Sequence, residues 1–271
     1  MSSSLKLWVL MDNNTLIDRY YLGEPAASYY LEIDDARILL DTGFSDLFIE
    51  NAKRMRVDLN RLTHIVLSHG HNNHTYGLPP LAEQYDLAGV ELVAHPKCLT
   101  PRWHNGEYVG PPEHWDVPSR WSYRPSTKPI WLSDHCVFLG QIPVTHDFEP
   151  RTPLGSTSPD STEQDDLLLE DTALACKTEN GLFIVTGCSH SGICNIVSYA
   201  QQVCGEERIA GIIGGFHLLE ASERVEKTAE FLASLNPGPV YPCHCVSLAA
   251  KFQLNEKLDV REVGSGLYLE I

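Results

Sequence analysis

Directly after the apolar, β-branched run Ile65-Val66-Leu67, the chain reads Ser68-His69-Gly70-His71-Asn72-Asn73-His74. Three imidazoles thus fall within six residues at the end of a predicted strand. In extended backbone, residues i and i+2 share a face, so His69 and His71 present their rings to one point. Gly70 is expected to keep that point free of a crowding side chain. The chain must then turn into a helix, which brings Asn73 and His74 to a second point beside the first. Imidazoles crowded into a half-buried turn are costly unless something binds them, and spaced histidines are the usual ligands of a transition metal. A metal site needs further ligands, so this strand end has to meet turns from distant parts of the chain.

The surrounding pattern supplies strands and helices in alternation. Short apolar runs at residues 5–10, 27–33, 37–40 and 64–67 predict strands, and Leu47, Phe48, Ala52 and Met55 predict a helix within 45–57. The second half repeats the alternation, with strands at 172–177, 182–186 and 209–213 and a helix near 193–203. Ser222 reads as the N-cap of a helix through Leu235, with Glu223 and Glu226 at its positive end. A last helix at 247–258 and two closing strands follow. Two comparable mixed halves predict a layered α/β protein with sheets inside and helices outside, read as one domain over 1–271.

Two stretches interrupt this. Residues 100–129 hold six prolines together with Trp103, Trp115 and Trp121, with Trp131 just after, so an irregular insert is expected at about 100–131. It is either a lid over the site or an extension of the core. Residues 149–171 are rich in proline, serine and acids and predict a solvated loop. Acids exceed bases by 36 − 20 = 16, a field that repels a phosphate backbone and disfavours nucleic acid as a partner. No run of apolar residues is long enough for a membrane span, and the chain reads as cytoplasmic. Its eight cysteines are therefore expected as thiols. Cys98, Cys136, Cys176 and Cys204 read as small core residues, whereas Cys188, Cys194, Cys243 and Cys245 lie near histidines as candidate ligands or reactive groups.

His69-x-His71-x-Asn73-His74 resembles the His-x-His-x-Asp-His signature of the metallo-β-lactamase fold, and Leu39-Leu40-Asp41-Thr42-Gly43 is similar to that fold's early strand. Further motifs are Met11-Asp12-Asn13-Asn14, Gly187-Cys188-Ser189-His190-Ser191-Gly192-Ile193, Gly214-Gly215-Phe216-His217-Leu218 and Pro242-Cys243-His244-Cys245. These resemble the branch that contains archaeal 7,8-dihydropterin-6-methyl-4-(β-D-ribofuranosyl)aminobenzene-5′-phosphate synthase. The likeness runs from about residue 7 to the end.

The resemblance implies a four-layer αββα sandwich with one or two divalent ions between the inner sheet edges: zinc, or manganese, iron or magnesium in its place. It assigns His69, His71 and His190 to one metal, and His74 and His244 to a second. Cys188 stands where many members carry a bridging aspartate, so its thiolate is a further candidate ligand. His217 is read as a ligand, a proton donor or a turn residue, and His146 competes with His190 for the first metal. His95, His104, His114 and His135 are expected at the surface or against substrate. Asn73 departs from the family's aspartate; a neutral amide should weaken the second metal position.

Metal-activated hydroxide suits hydrolysis of an ester, lactone or phosphoester. The same ions could instead hold a diphosphate leaving group while an arylamine attacks a pterin carbon, releasing pyrophosphate. A third reading is a binding protein whose turnover Asn73 has impaired, natively or as an introduced change. The expected partner is a small molecule, aromatic and phosphorylated if Trp103, Trp115 and Trp121 stack on it and Arg102 and Arg120, with Lys97 and Arg124, meet its phosphate. The alternative is that these rings and bases only pack and balance the insert; homo-oligomerisation stays open.

Overall fold

The computed structural model describes residues 4–159 and 165–271. The first half runs β1 (Lys6–Met11), β2 (Ser28–Ile33), β3 (Ala36–Leu40), α1 (Leu47–Arg54), β4 (His64–Val66), α2 (Asn72–Thr75), α3 (Leu78–Gln84) and β5 (Glu91–Ala94). A short hairpin, β6 (Trp103–His104) and β7 (Glu107–Tyr108), precedes β8 (Ser122–Pro125). The second half runs β9 (Ile130–Trp131), β10 (Cys136–Phe138), β11 (Ala173–Thr178), β12 (Gly181–Thr186), α4 (Ile193–Cys204), β13 (Ile209–Gly214), α5 (Glu223–Ser234), β14 (Val240–Pro242), α6 (Leu248–Asn255) and β15 (Tyr268–Glu270).

Two sheets result, ordered β15-β1-β2-β3-β4-β5-β8 and β14-β13-β12-β11-β10-β9. Each begins as an antiparallel meander and ends in parallel strands: β3, β4, β5 and β8 in the first, and β12, β13 and β14 in the second. Alternation along each strand sorts the side chains between layers. Ile38, Leu40, Phe183 and Val185 fill the space between the sheets, while Leu39 packs outward under α1 and α3, and Leu182 and Ile184 pack outward under α4, α5 and α6. Helix, sheet, sheet, helix is the four-layer αββα sandwich that the sequence predicted.

Three expectations change. The stretch at 100–131 is less irregular than its prolines suggest, because β8 pairs in parallel with β5 and extends the first sheet. Of the two closing strands only β15 forms; the other reduces to a bridge between Val240 and Val260. The acid-rich stretch is a solvated loop only in part: Thr152, Pro153, Ser158 and Asp165 are exposed. Glu149, Asp166, Glu170 and Asp171 are buried, whereas Asp160 and Glu163 lie outside the described residues. The reason is that each buried acid has work in the fold. Asp166 and Glu170 neutralise Arg102, Asp171 holds the turn at Ser191, and Glu149 caps a helix.

That cap replaces one that the sequence lacks. The N-cap position of α4 is Gly192, which has no side chain to offer. Glu149 Oε2 instead accepts from the Cys194 and Asn195 N–H groups at 2.8 and 3.2 Å. Changing Glu149 to alanine leaves those buried donors unpaired at the positive helix end. The expected loss is roughly 2–3 kcal/mol, read as a lower urea midpoint at unchanged slope. An unchanged midpoint would refute the capping role. Among the described residues, no helix is long and apolar enough to cross a membrane.

Candidate metal centre

The parallel strands aim their carboxyl ends at one cleft, the place where open α/β sheets bind ligands. Asp41 follows β3; Ser68 and His69 follow β4. Cys188 and His190 follow β12, His217 follows β13, and His244 and Cys245 follow β14. Asp41, Ser189, His217 and His244 all take left-handed backbone conformations, with φ of 59°, 56°, 48° and 52°. Non-glycine residues adopt that region at a cost, and its clustering at one cleft is a mark of a functional site.

His69, His71 and His190 bring one nitrogen each to within 4.8 Å of one another. His69 Nε2 lies 3.1 Å from His71 Nδ1. His190 Nε2 is buried and has no hydrogen-bond partner among the described residues. A chain of bonds fixes the first ring: Ser68 Oγ donates to Asp41 Oδ2 at 2.7 Å and accepts from His69 Nδ1 at 2.9 Å. His69 Nε2 is thereby left as a bare lone pair facing the others. Burial pushes all three pKa values well below the ordinary histidine value, so the rings are neutral at pH 7. Converging neutral imidazoles with an orphaned buried nitrogen fit a divalent ion, and the donor chemistry suits zinc.

A second group lies alongside. His74 Nδ1 donates to Asp41 Oδ2 at 2.7 Å, and His244 Nδ1 lies 2.8 Å from Asn13 Oδ1. Both rings therefore turn Nε2 inward, 3.2 Å apart. Cys188 Sγ sits 3.2 Å from His74 Nε2, and the Asn73 amide 3.3 Å from His244 Nε2. Cys188, His244 and Cys245 also form a compact donor group, as do His69, His74 and Cys188. The His217 ring stands 4.5 Å from that of His190 but enters none of these groups among the described residues.

Gly70 has a different reason from the one expected. A Cβ there would lie 2.1 Å from the Cys98 carbonyl oxygen, so the glycine admits a close backbone crossing rather than a metal. His146 also leaves the metal question: it bonds Ser198 Oγ at 2.9 Å and packs on Phe231. His95 is buried beside Gln141 and His135 pairs with Asp34.

Beside His71 opens a cavity of about 360 Å³ lined by Pro25, Phe44, His71, Asn72, Asn73, His104, Val109 and Leu154. The insert reaches it through His104 and Val109, not through a tryptophan. Trp121 is buried in the outer core with Trp115 against it at 6.1 Å, and Trp103 packs on Tyr108 at 5.3 Å. Trp103 and Trp115 line a separate hollow with Pro111 and Pro112. The arginines are likewise engaged elsewhere. Arg102 is buried between Glu170 and Asp166, and Arg120 binds Asp86 and the Ala82 and Tyr85 carbonyls. Arg124 pairs with Glu91. Their charges balance the protein's own acids.

Three contributors carried no role in the sequence reading, Asp41, Asp12 and Asn13, whereas Cys245, read there as a candidate ligand or reactive group, falls beside Cys188 and His244. Asp12 Oδ2 accepts from the His244 N–H at 2.9 Å, so the early Met11-Asp12-Asn13-Asn14 motif clamps the last histidine by both backbone and ring. The signal was present in that motif and in Asp41-Thr42-Gly43, but their partners are supplied only by the fold.

Comparisons with known proteins bear on the family and the fold. The chain is 26% identical to the 7,8-dihydropterin-6-methyl-4-(beta-D-ribofuranosyl)-aminobenzene-5′-phosphate synthase of Methanocaldococcus jannaschii, over 94% of this chain and 92% of the relative. An uncharacterized protein of the same organism is also 26% identical, over 92% and 93%. Among solved structures, a metal-dependent hydrolase of the beta-lactamase superfamily superposes with a TM-score of 0.82 at 26% identity, covering 98% of this chain and 99% of that one. The family model of the metallo-beta-lactamase superfamily matches residues 22–159, just over half of the sequence. With that match, the αββα layers and the histidine cleft at the strand ends, the chain belongs to the metallo-β-lactamase superfamily.

Proposed function

We propose that this protein is a metal-dependent hydrolase of a small, largely uncharged ester or lactone, with His69, His71 and His190 holding the activity-bearing ion. The carrying observation is the meeting of His69 Nε2, His71 Nδ1 and the unpartnered His190 Nε2 beside an apolar cavity. Three protein donors leave room for substrate and water, the pattern of a catalytic rather than a structural site. A divalent ion held there supplies Lewis acidity toward a substrate oxygen and a lowered pKa for water.

The chain's own residues do the rest. Phe44, Pro25, Val109 and Leu154 take the apolar part of the substrate, and the Asn73 amide and His104 ring offer hydrogen bonds at its polar end. His217 is held below the ordinary histidine pKa by burial, so it meets the reaction neutral, able to accept a proton and return it to a leaving oxygen. Among the described residues neither lysine nor arginine lines the cavity, and this favours an ester or lactone over a phosphoester.

A second reading is group transfer, joining a pterin diphosphate to an arylamine with release of pyrophosphate. It is favoured by the identity to the archaeal synthase over nearly the whole chain. The two are separated with zinc-loaded protein. Turnover of chromogenic esters or lactones that a chelator removes and zinc restores supports hydrolysis. Pyrophosphate release that requires both pterin diphosphate and arylamine, with no ester turnover, overturns it. In the hydrolase reading, Phe44→Ala removes an apolar wall worth about 1 kcal/mol and raises KM roughly fivefold with kcat little changed. An equal fall in kcat would place Phe44 at the reacting group instead.

A further inference from the structure

In the hairpin, β6 and β7 pair Trp103 with Tyr108 and His104 with Glu107, and alternation puts the two pairs on opposite faces. Trp103 and Tyr108 line a hollow of about 520 Å³, while His104 and Val109 line the cavity beside His71. The hairpin is thus a shared wall between two cavities. It is tied down on both sides: the Asn72 N–H donates to the Val109 carbonyl at 2.9 Å, and Trp103 exchanges two backbone bonds with Ser156, both at 2.8 Å.

The hollow differs in chemistry from its neighbour. Trp103 and Tyr108 meet edge to face, with centroids 5.3 Å apart and planes at 77°, and Trp115 adds a third ring. The Tyr108 ring is fixed: its hydroxyl donates to the Pro111 carbonyl at 2.6 Å, and a Cβ on Gly110 would fall 2.9 Å from it. Glu113 and Asp116 also line the hollow, both exposed and, among the described residues, without an ion pair. Neither lysine nor arginine is on its wall among the described residues, and His114, which is, is exposed. Burial first, and then the Glu113 charge, push the Tyr108 pKa up to about 12, so that ring stays a neutral phenol.

We propose that this hollow is a binding site for a small organic cation, a quaternary ammonium or alkylated amine, back to back with the cavity beside His71. Aromatic rings offer negative faces and apolar area together, which suits an ammonium whose charge is spread over methyl groups. The two carboxylates supply the countercharge, and no fixed lysine or arginine charge on the wall opposes it. A neutral ligand would use the rings and leave both carboxylates idle. An anion would be repelled by them. A cation pressed on Trp103 and Tyr108 also bears on the strands that carry His104 and lead into Val109, so its presence is transmitted to the neighbouring cavity wall.

The test titrates zinc-loaded, full-length protein with choline and, separately, with 3,3-dimethyl-1-butanol, which has the same shape without the charge. Calorimetry reads the affinity. Choline should bind saturably, and the neutral alcohol about tenfold more weakly. Trp115→Leu should weaken choline binding about tenfold, and the Glu113→Gln, Asp116→Asn double variant about threefold. The double variant alters only exposed carboxylates, so it decides the question should the tryptophan variant unfold. His69→Ala, which lacks a ligand of the metal position, should bind choline as wild type does, because the hollow stands apart from the ion. Equal binding of the alcohol, no saturable binding of choline, or unchanged choline affinity in the double variant would overturn the proposal. Loss of choline binding in folded His69→Ala would place the ligand in the metal cleft and overturn it as well.

Discussion

Replacing His69 by alanine is expected to empty the three-histidine position and to lower turnover by about three powers of ten, about 4 kcal/mol of lost transition-state stabilisation. The residue is fully buried, and its Nε2 lies 3.1 Å from His71 Nδ1. The thiol grouped with it, Cys188, is engaged by His74 Nε2 at 3.2 Å. The check is zinc content together with turnover on whichever ester or lactone the wild type accepts, with a urea titration to show that the variant is folded. A folded variant that retains full turnover would remove His69 from the chemistry.

Asp41→Asn should be nearly as damaging, although Asp41 approaches no ion directly. Its Oδ2 accepts from His74 Nδ1 and from Ser68 Oγ, both at 2.7 Å, and its Oδ1 accepts from the Ser68 N–H at 2.7 Å. One buried carboxylate thus sets the tautomer of His74 directly and that of His69 through Ser68. Both rings hang on Oδ2, so an amide either turns its NH2 toward them and takes the acceptor from both, or keeps its oxygen there and sets the NH2 against the Ser68 N–H. Losses of metal affinity on removing such a supporting carboxylate run at roughly 10- to 100-fold, and both positions should suffer here. Competition against a chromophoric chelator measures this; unchanged affinity at both positions would contradict the relay.

The contrast between His69 and Asp41 marks how far the sequence could be read. His69, His71 and His74 were legible because strand and helix geometry is local: spacing alone turns two rings one way and the third another. His190 and His244 were reached through motif resemblance, since nothing local says that turns over a hundred residues away share a cleft. Asp41 and Asn13 stayed without a role because an acid's use depends on which ring the fold lays against it. Burial reversed other readings. Glu149 and Glu170 look like solvent acids in a polar run, but one meets a helix end that begins with glycine and the other meets Arg102. The same pairing withdraws Arg102 from the substrate. The tryptophans of the insert were misleading for a related reason: β8 carries the stretch into the first sheet, and Trp121 goes into the core beneath it. The cavity wall falls instead to His104, one of four histidines read as surface or substrate contacts, and to Val109, which no periodicity distinguishes.

The central claim is that His69, His71 and His190 converge on one divalent ion. Crystals of the zinc-loaded protein, with anomalous diffraction recorded on both sides of the zinc absorption edge, test it most directly. The account predicts a strong anomalous peak between His69 Nε2, His71 Nδ1 and His190 Nε2, with each nitrogen at about 2.0–2.1 Å. An ordered, zinc-replete crystal with no peak among these three nitrogens, or with the ion held by other side chains, would contradict it.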